Sequence, residues 1–109
     1  MASEVLKLAT FRGDANSVQA LLTVGAGTTA TVLSVTICET GNAAEIFDLL
    51  VDDGGGGSDT YIYFGQALGA KETFEHTGRI ILEATDHLSI QTASASNIDV
   101  CVSYLLQTL

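Results

Sequence analysis

Apolar and polar residues alternate with a period of two along most of this chain. In Thr29 to Glu39, Leu33, Val35 and Ile37 fall on one side and Ser34 and Thr36 on the other. β-Branched residues suit such a pleated, half-buried surface. Leu88, Ile90 and Thr92 repeat the pattern against Ser89 and Gln91. Ile98, Val100, Val102 and Tyr104 repeat it against Asp99, Cys101 and Ser103. Ser17 to Val24 and Arg79 to Ala84 are shorter, more apolar strand candidates, and Thr60 to Phe64 has β-forming residues on both sides. Turn residues separate these runs at short intervals: Arg12-Gly13-Asp14, Gly25-Ala26-Gly27, Thr40-Gly41-Asn42, Asp52 to Asp59, Gly65, Gly69, Thr77-Gly78, Thr85-Asp86 and Ala95-Ser96-Asn97. Gly and Asn accept positive φ, and Asp and Ser bond their own backbone. Many short strands with regular turns predict an all-β protein, an antiparallel β-sandwich of jelly-roll-like form.

Asn42 to Val51 admits two readings. As a short helix started by an Asn cap, it places Ile46, Phe47, Leu50 and Val51 on one face. As a strand, it turns Phe47, Leu49 and Val51 one way and Ile46 and Leu50 the other. The strand is preferred, because strands flank it and Asp52 to Asp59 reads as a hairpin turn back into Thr60 to Phe64.

Length and composition narrow the function classes. The 109 residues match one domain. The expected division is an N-terminal arm or first edge strand over 1–12 and a single sandwich over 13–109. Hydrophobic residues make up 47% and charged residues 16%. That is too apolar for disorder, and its low charge leans towards surface buried against partners. The net charge is −9, and Lys7, Arg12, Lys71 and Arg79 are too few and scattered to track phosphates. Neither nucleic acid nor an anionic membrane is an expected partner. No apolar run reaches the length of a transmembrane helix, and Met1 to Thr10 lacks the apolar stretch of a signal peptide. Synthesis in a cytosol is expected.

Possible chemistry is sparse. Asp52-Asp53-Gly54-Gly55-Gly56-Gly57-Ser58-Asp59 lacks the Lys and the following helix of a phosphate loop. Its acids offer oxygens to calcium, but without the ligand alternation of a calcium loop, and a hairpin tip is the preferred reading. Val24-Gly25-Ala26-Gly27 reads as a turn. His76 and His87 each follow an acid, yet no spacing points to zinc, and both are read as exposed imidazoles near turns. Tyr61, Tyr63 and Phe64 could stack on a sugar, although core packing and subunit contact are the preferred uses. Arg12-Gly13-Asp14 is too short to mark adhesion. Cys38 and Cys101 are read as two reduced, half-buried thiols, with a single bridge between neighbouring strands as the alternative. Such a bridge would form in an oxidising medium. No catalytic, cofactor-binding or metal-ligating residue is assigned, no cofactor is implied, and no enzymatic activity is expected.

Four pieces of the chain resemble small β-sandwich virion proteins of tailed bacteriophages. Ala26-Gly27-Thr28-Thr29-Ala30-Thr31-Val32-Leu33-Ser34-Val35-Thr36 is similar to their opening strand, and Glu39-Thr40-Gly41-Asn42-Ala43-Ala44 to the turn after it. Ile81 to Thr92 is similar to their corner of leucine, acid, two small residues and Asp, followed by an alternating strand. Asp99-Val100-Cys101-Val102-Ser103-Tyr104-Leu105 resembles their closing strand. Members often carry Pro in the first turn, and this chain has no Pro. The resemblance implies a virion structural protein made in the host cytoplasm. Head decoration or cement is the first expectation, with a collar, head–tail connector or tail accessory role as the alternative. It implies a homo-oligomer, three-fold as the first expectation, attached to a major capsid or other virion protein. A receptor- or glycan-binding module is the alternative of another class.

Overall fold

A computed structural model of the chain describes residues 3–52, 59–94 and 97–108. These residues form the strands β1 (Ser3–Gly13), β2 (Gln19–Thr23), β3 (Thr28–Glu39), β4 (Glu45–Asp52), β5 (Asp59–Leu68), β6 (Thr73–His76), β7 (Ile80–Leu82), β8 (His87–Thr92) and β9 (Ile98–Thr108). No helix of the described residues is long and apolar enough to cross a membrane. One sheet runs β1-β9-β3-β6, with β7 also paired to β3, and the second runs β2-β8-β4-β5. Every pairing is antiparallel. Strands adjacent in a sheet are mostly distant in sequence. This winding is that of an antiparallel β-sandwich of jelly-roll type.

The core lies between the sheets and follows the alternation. From the first sheet come Val32, Val35 and Ile37 of β3, Leu82 of β7, and Ile98, Val100 and Val102 of β9. From the second come Phe47 and Leu49 of β4 and Leu88 and Ile90 of β8. Phe11 and Ala9 of β1 pack against this cluster from the sheet edge.

In several places the described residues depart from what alternation and turn residues predict. Val32 is fully buried and Leu33 only half-buried, because the β3–β9 register shifts between Val32 and Ser34. Leu33 is therefore not on the face of Val35 and Ile37: an extra residue in a bulge reverses the phase of everything before it. Asn42 to Val51 holds no helix. Its strand, β4, is hydrogen-bonded on both sides by β5 and β8, so tertiary pairing decides against the helical reading. Gly65 does not end a strand but sits within β5 at φ 69°, where the β4–β5 register shifts. The bulge strands its N–H, which donates to the Asp48 carboxylate at 2.7 Å. Finally, Thr73–His76 pairs with β3 as β6, a strand too short to show a pattern of its own.

The corner after β7 has a clear local logic. Leu82 is fully buried and anchors it. The Asp86 N–H donates to the Glu83 carbonyl at 3.0 Å, and the Glu83 N–H donates to the Asp86 carboxylate at 2.8 Å. Thr85, at φ 73°, donates its N–H to Val24, whose own N–H donates to Asp86. The leucine-acid-small-small-Asp run is thus a self-capped turn tied to Val24, the residue that follows β2.

Candidate interaction surfaces

Phe47, Tyr63, Phe74 and His76 form an aromatic cluster that joins the two sheets. Phe74 meets Phe47 edge-on with centroids 5.2 Å apart, and Tyr63 at 4.9 Å. The Tyr63 hydroxyl shares a 2.8 Å hydrogen bond with His76 Nδ1. His76 Nε2 is buried and has no hydrogen-bond partner among the described residues. His76 is thus a half-buried member of the sandwich, and His87 is half-buried on β8 opposite Thr23 and Asp52. Neither is the exposed imidazole expected from nearby turn residues, because both belong to strands. Tyr63→Phe is expected to destabilise the fold by about 1–3 kcal/mol, since it strands the second ring nitrogen. Urea denaturation checks this. Adding His76→Phe should recover most of the loss, because replacing both partners by apolar groups removes the unmet polar demand.

The aromatic run on β5 is divided between the two faces. Tyr63 enters the cluster. Tyr61 and Phe64 are 47% and 74% exposed and meet at an interplanar angle of 74°.

Two acidic side chains are buried as fasteners. Glu39 is 1% exposed and accepts the Gly41 N–H at 2.6 Å, closing the β3–β4 turn. Glu45 is 5% exposed, accepting from the Ile46 N–H at 2.9 Å and from the Ser94 hydroxyl at 2.8 Å. It lies on the wall of an open cleft of about 540 Å³, which Leu68 and Glu72 also line. Both oxygens of Glu45 are engaged, so its carboxylate serves as a brace.

The other sequence candidates are placed as follows. Asp52 and Asp59 face each other across the base of the β4–β5 hairpin, while Asp53 to Ser58 lie outside the described residues. Among the described residues no group of three or more His, Cys, Asp or Glu converges to hold a metal. In the Arg12-Gly13-Asp14 turn the Asp14 carboxylate accepts the Asn16 N–H at 2.8 Å. In the Gly25 to Thr28 turn the Thr28 hydroxyl donates to the Gly25 carbonyl at 2.7 Å.

Cys38 and Cys101 are free thiols on the outer face of neighbouring strands. Cys38 stands opposite Asp99, and Cys101 opposite Thr36. They are diagonal neighbours, a relation that spans about 7–8 Å. A disulfide needs Cα atoms within about 7 Å, so this register opposes the bridge considered from sequence.

The outer face of the first sheet carries a feature the alternation did not reveal. Leu6 of β1 lies opposite Leu105 of β9, Leu105 opposite Thr31 of β3, and Thr31 opposite Ile81 of β7. This row of side chains crosses the sheet on its solvent side. Leu6 is 71% exposed, Ile81 67%, and Leu8, beside the row, 61%. Sequence reading missed it because the row is assembled from four strands, each contributing one residue.

No protein-family model matches the chain, and no curated protein matches its sequence. Solved structures share its fold. A chain from Bacillus endospore appendages, a family of disulfide-linked pili, superposes with a TM-score of 0.60 at 10% identity, over 100% of this chain and 91% of that one. A chain of the acid-stable capsid of Helicobacter pylori bacteriophage KHP30 superposes with 0.59 at 19% identity, over 97% and 92%. A chain of infectious bursal disease virus, strain Gx, gives 0.54 at 10% identity, over 99% of this chain but 33% of that one. What is shared at these identities is the sandwich fold.

Proposed function

We propose that this protein is a structural component of a tailed-bacteriophage virion: a head decoration protein that self-associates and binds the major capsid shell after synthesis in the host cytoplasm. The observation that carries this reading is the row of Leu6, Leu105 and Ile81 on the outer face of a sheet. The chain has only 16% charged residues, and exposed apolar side chains set in such a row, interrupted at Thr31, suit burial against another protein. The resemblance of the Leu82 to Asp86 corner and of the closing strand β9 to phage virion proteins supplies the setting. Sharing the sandwich with chains of phage and viral capsids supports it.

Mass spectrometry and immunogold labelling of purified particles test this. The protein is expected on the head, in numbers comparable to the capsid subunits. Labelling confined to the neck or tail would move it to a collar, connector or tail accessory role. Absence from particles would overturn the virion reading.

A further inference from the structure

The two sheets end in four edges, and three of them are blunted. β2 has five residues with a register shift between Ala20 and Leu22. β5 is kinked by two register shifts and by Gly65. The fourth position beside β3 is split between β6 and β7, of four and three residues. β1 differs from all of these. Its 11 residues pair with β9 in unbroken register from Ser3 opposite Thr108 to Gly13 opposite Ile98. Its free side is an unpaired row of backbone donors and acceptors with no bulge, and Lys7 on the inner face is the charge set against it.

We propose that β1 pairs with β1 of a second copy, antiparallel about a two-fold axis through Leu8, joining the two first sheets into one. This rests on the self-association in the reading above and specifies where it occurs. In a continuous sheet, residues opposite each other must share a face. Leu8 is the midpoint of Ser3–Gly13, so centring there pairs the whole strand. On the outer face it sets Glu4 opposite Arg12 of the second copy, twice, and Leu6 opposite Thr10. On the inner face it sets Val5 opposite Phe11 and Lys7 opposite Ala9. Centring on Lys7 would oppose two lysines, which is unfavourable. Centring on Leu6 or Ala9 would leave the charges unpaired and the strand ends overhanging. The Leu8 register also sets the Leu8 side chains of the two copies side by side, flanked diagonally by Leu6 of each, so that the exposed apolar residues of both outer faces join into one patch. A two-fold contact of this kind does not close a three-fold ring, so it departs from the trimer expected from sequence.

Sedimentation equilibrium and cysteine cross-linking test the contact on the full chain. The wild type is expected to sediment as a dimer. Leu8→Lys, at an exposed position, opposes two new cations and should weaken the dimer by about tenfold or more. Arg12→Glu should weaken it, and Glu4→Arg added to Arg12→Glu should restore it, which a general loss of folding would not do. In a Cys38→Ser/Cys101→Ser background, Leu8→Cys should oxidise to a covalent dimer, since directly opposite residues lie about 4.5–5.5 Å apart. Leu6→Cys should not. A monomer or trimer in solution, or equal cross-linking through positions 6 and 8, would overturn the pairing. Either result is compatible with the protein being found on virions, whereas a β1-paired dimer absent from particles would overturn the virion reading alone.

Discussion

Phe47→Ala is expected to lower the stability of the fold by about 3–5 kcal/mol, the usual cost of removing a buried ring. Phe47 is 1% exposed and lies on β4, a central strand of the second sheet. Its ring meets Phe74, from the first sheet, at 5.2 Å and Tyr63, from its own sheet, at 6.4 Å. Truncation therefore opens a cavity at a point where the two sheets touch, and the rings around it cannot all collapse inward. For a domain with a total stability of about 5–15 kcal/mol, such a loss is a large part of the whole. Phe64→Ala supplies the contrast, since Phe64 is 74% exposed and its removal should change stability by less than about 0.5 kcal/mol. Urea denaturation of both variants measures the difference. Equal effects would contradict the assignment of Phe47 to the inter-sheet cluster and Phe64 to the surface.

The bulge in β3 leads to a second large effect. Val32→Asp should prevent folding, because Val32 is fully buried between Tyr104 and Ile80 of the adjoining strands. An unpaired carboxylate there loses its hydration with no compensating partner, a penalty of several kcal/mol. Leu33→Asp, one residue along, should cost about 1 kcal/mol or less, since the side chain is half-buried at the bulge and retains access to water. Soluble yield and far-ultraviolet circular dichroism distinguish the two variants. Simple alternation predicts the opposite order, with Leu33 inside beside Val35 and Ile37. A tolerated Val32→Asp and a lethal Leu33→Asp would place the phase change elsewhere in the strand.

These two positions show where sequence reasoning works on this chain and where it stops. Leu88, Ile90 and Thr92, and Ile98, Val100 and Val102, all lie on the buried side that their alternation indicates. There the register with β4, with β1 and with the facing part of β3 runs without interruption, and the shift beside β8 falls in its edge partner β2. Leu33 and Gly65 were misread because a bulge is a property of two strands together: it appears only when one chain's residues are counted against another's. The His76 environment was hidden for a related reason. Its partner Tyr63 lies on a different strand in the other sheet, and a nearby turn residue says nothing about that contact.

The candidate surface was the least legible part. Composition indicated a protein poor in charge whose surface meets partners. It did not indicate which surface. The row of Leu6, Leu105 and Ile81 exists because β1, β9, β3 and β7 lie side by side. The cysteines are informative in the same way. Their strands are neighbours, as a disulfide would require, but the register opposes Cys38 to Asp99 instead of Cys101.

By itself, then, the sequence determined the all-β class, the sandwich, most strand positions and the inward face of the regular strands. Those follow from local period and turn chemistry, which each segment carries within it. Only the tertiary structure decided the phase of β3, the strand state of Glu45–Asp52, the burial of His76, the separation of the thiols and the long edge without a bulge at β1. Each of these depends on how distant strands are aligned, and alignment is set by the packing of the whole sandwich.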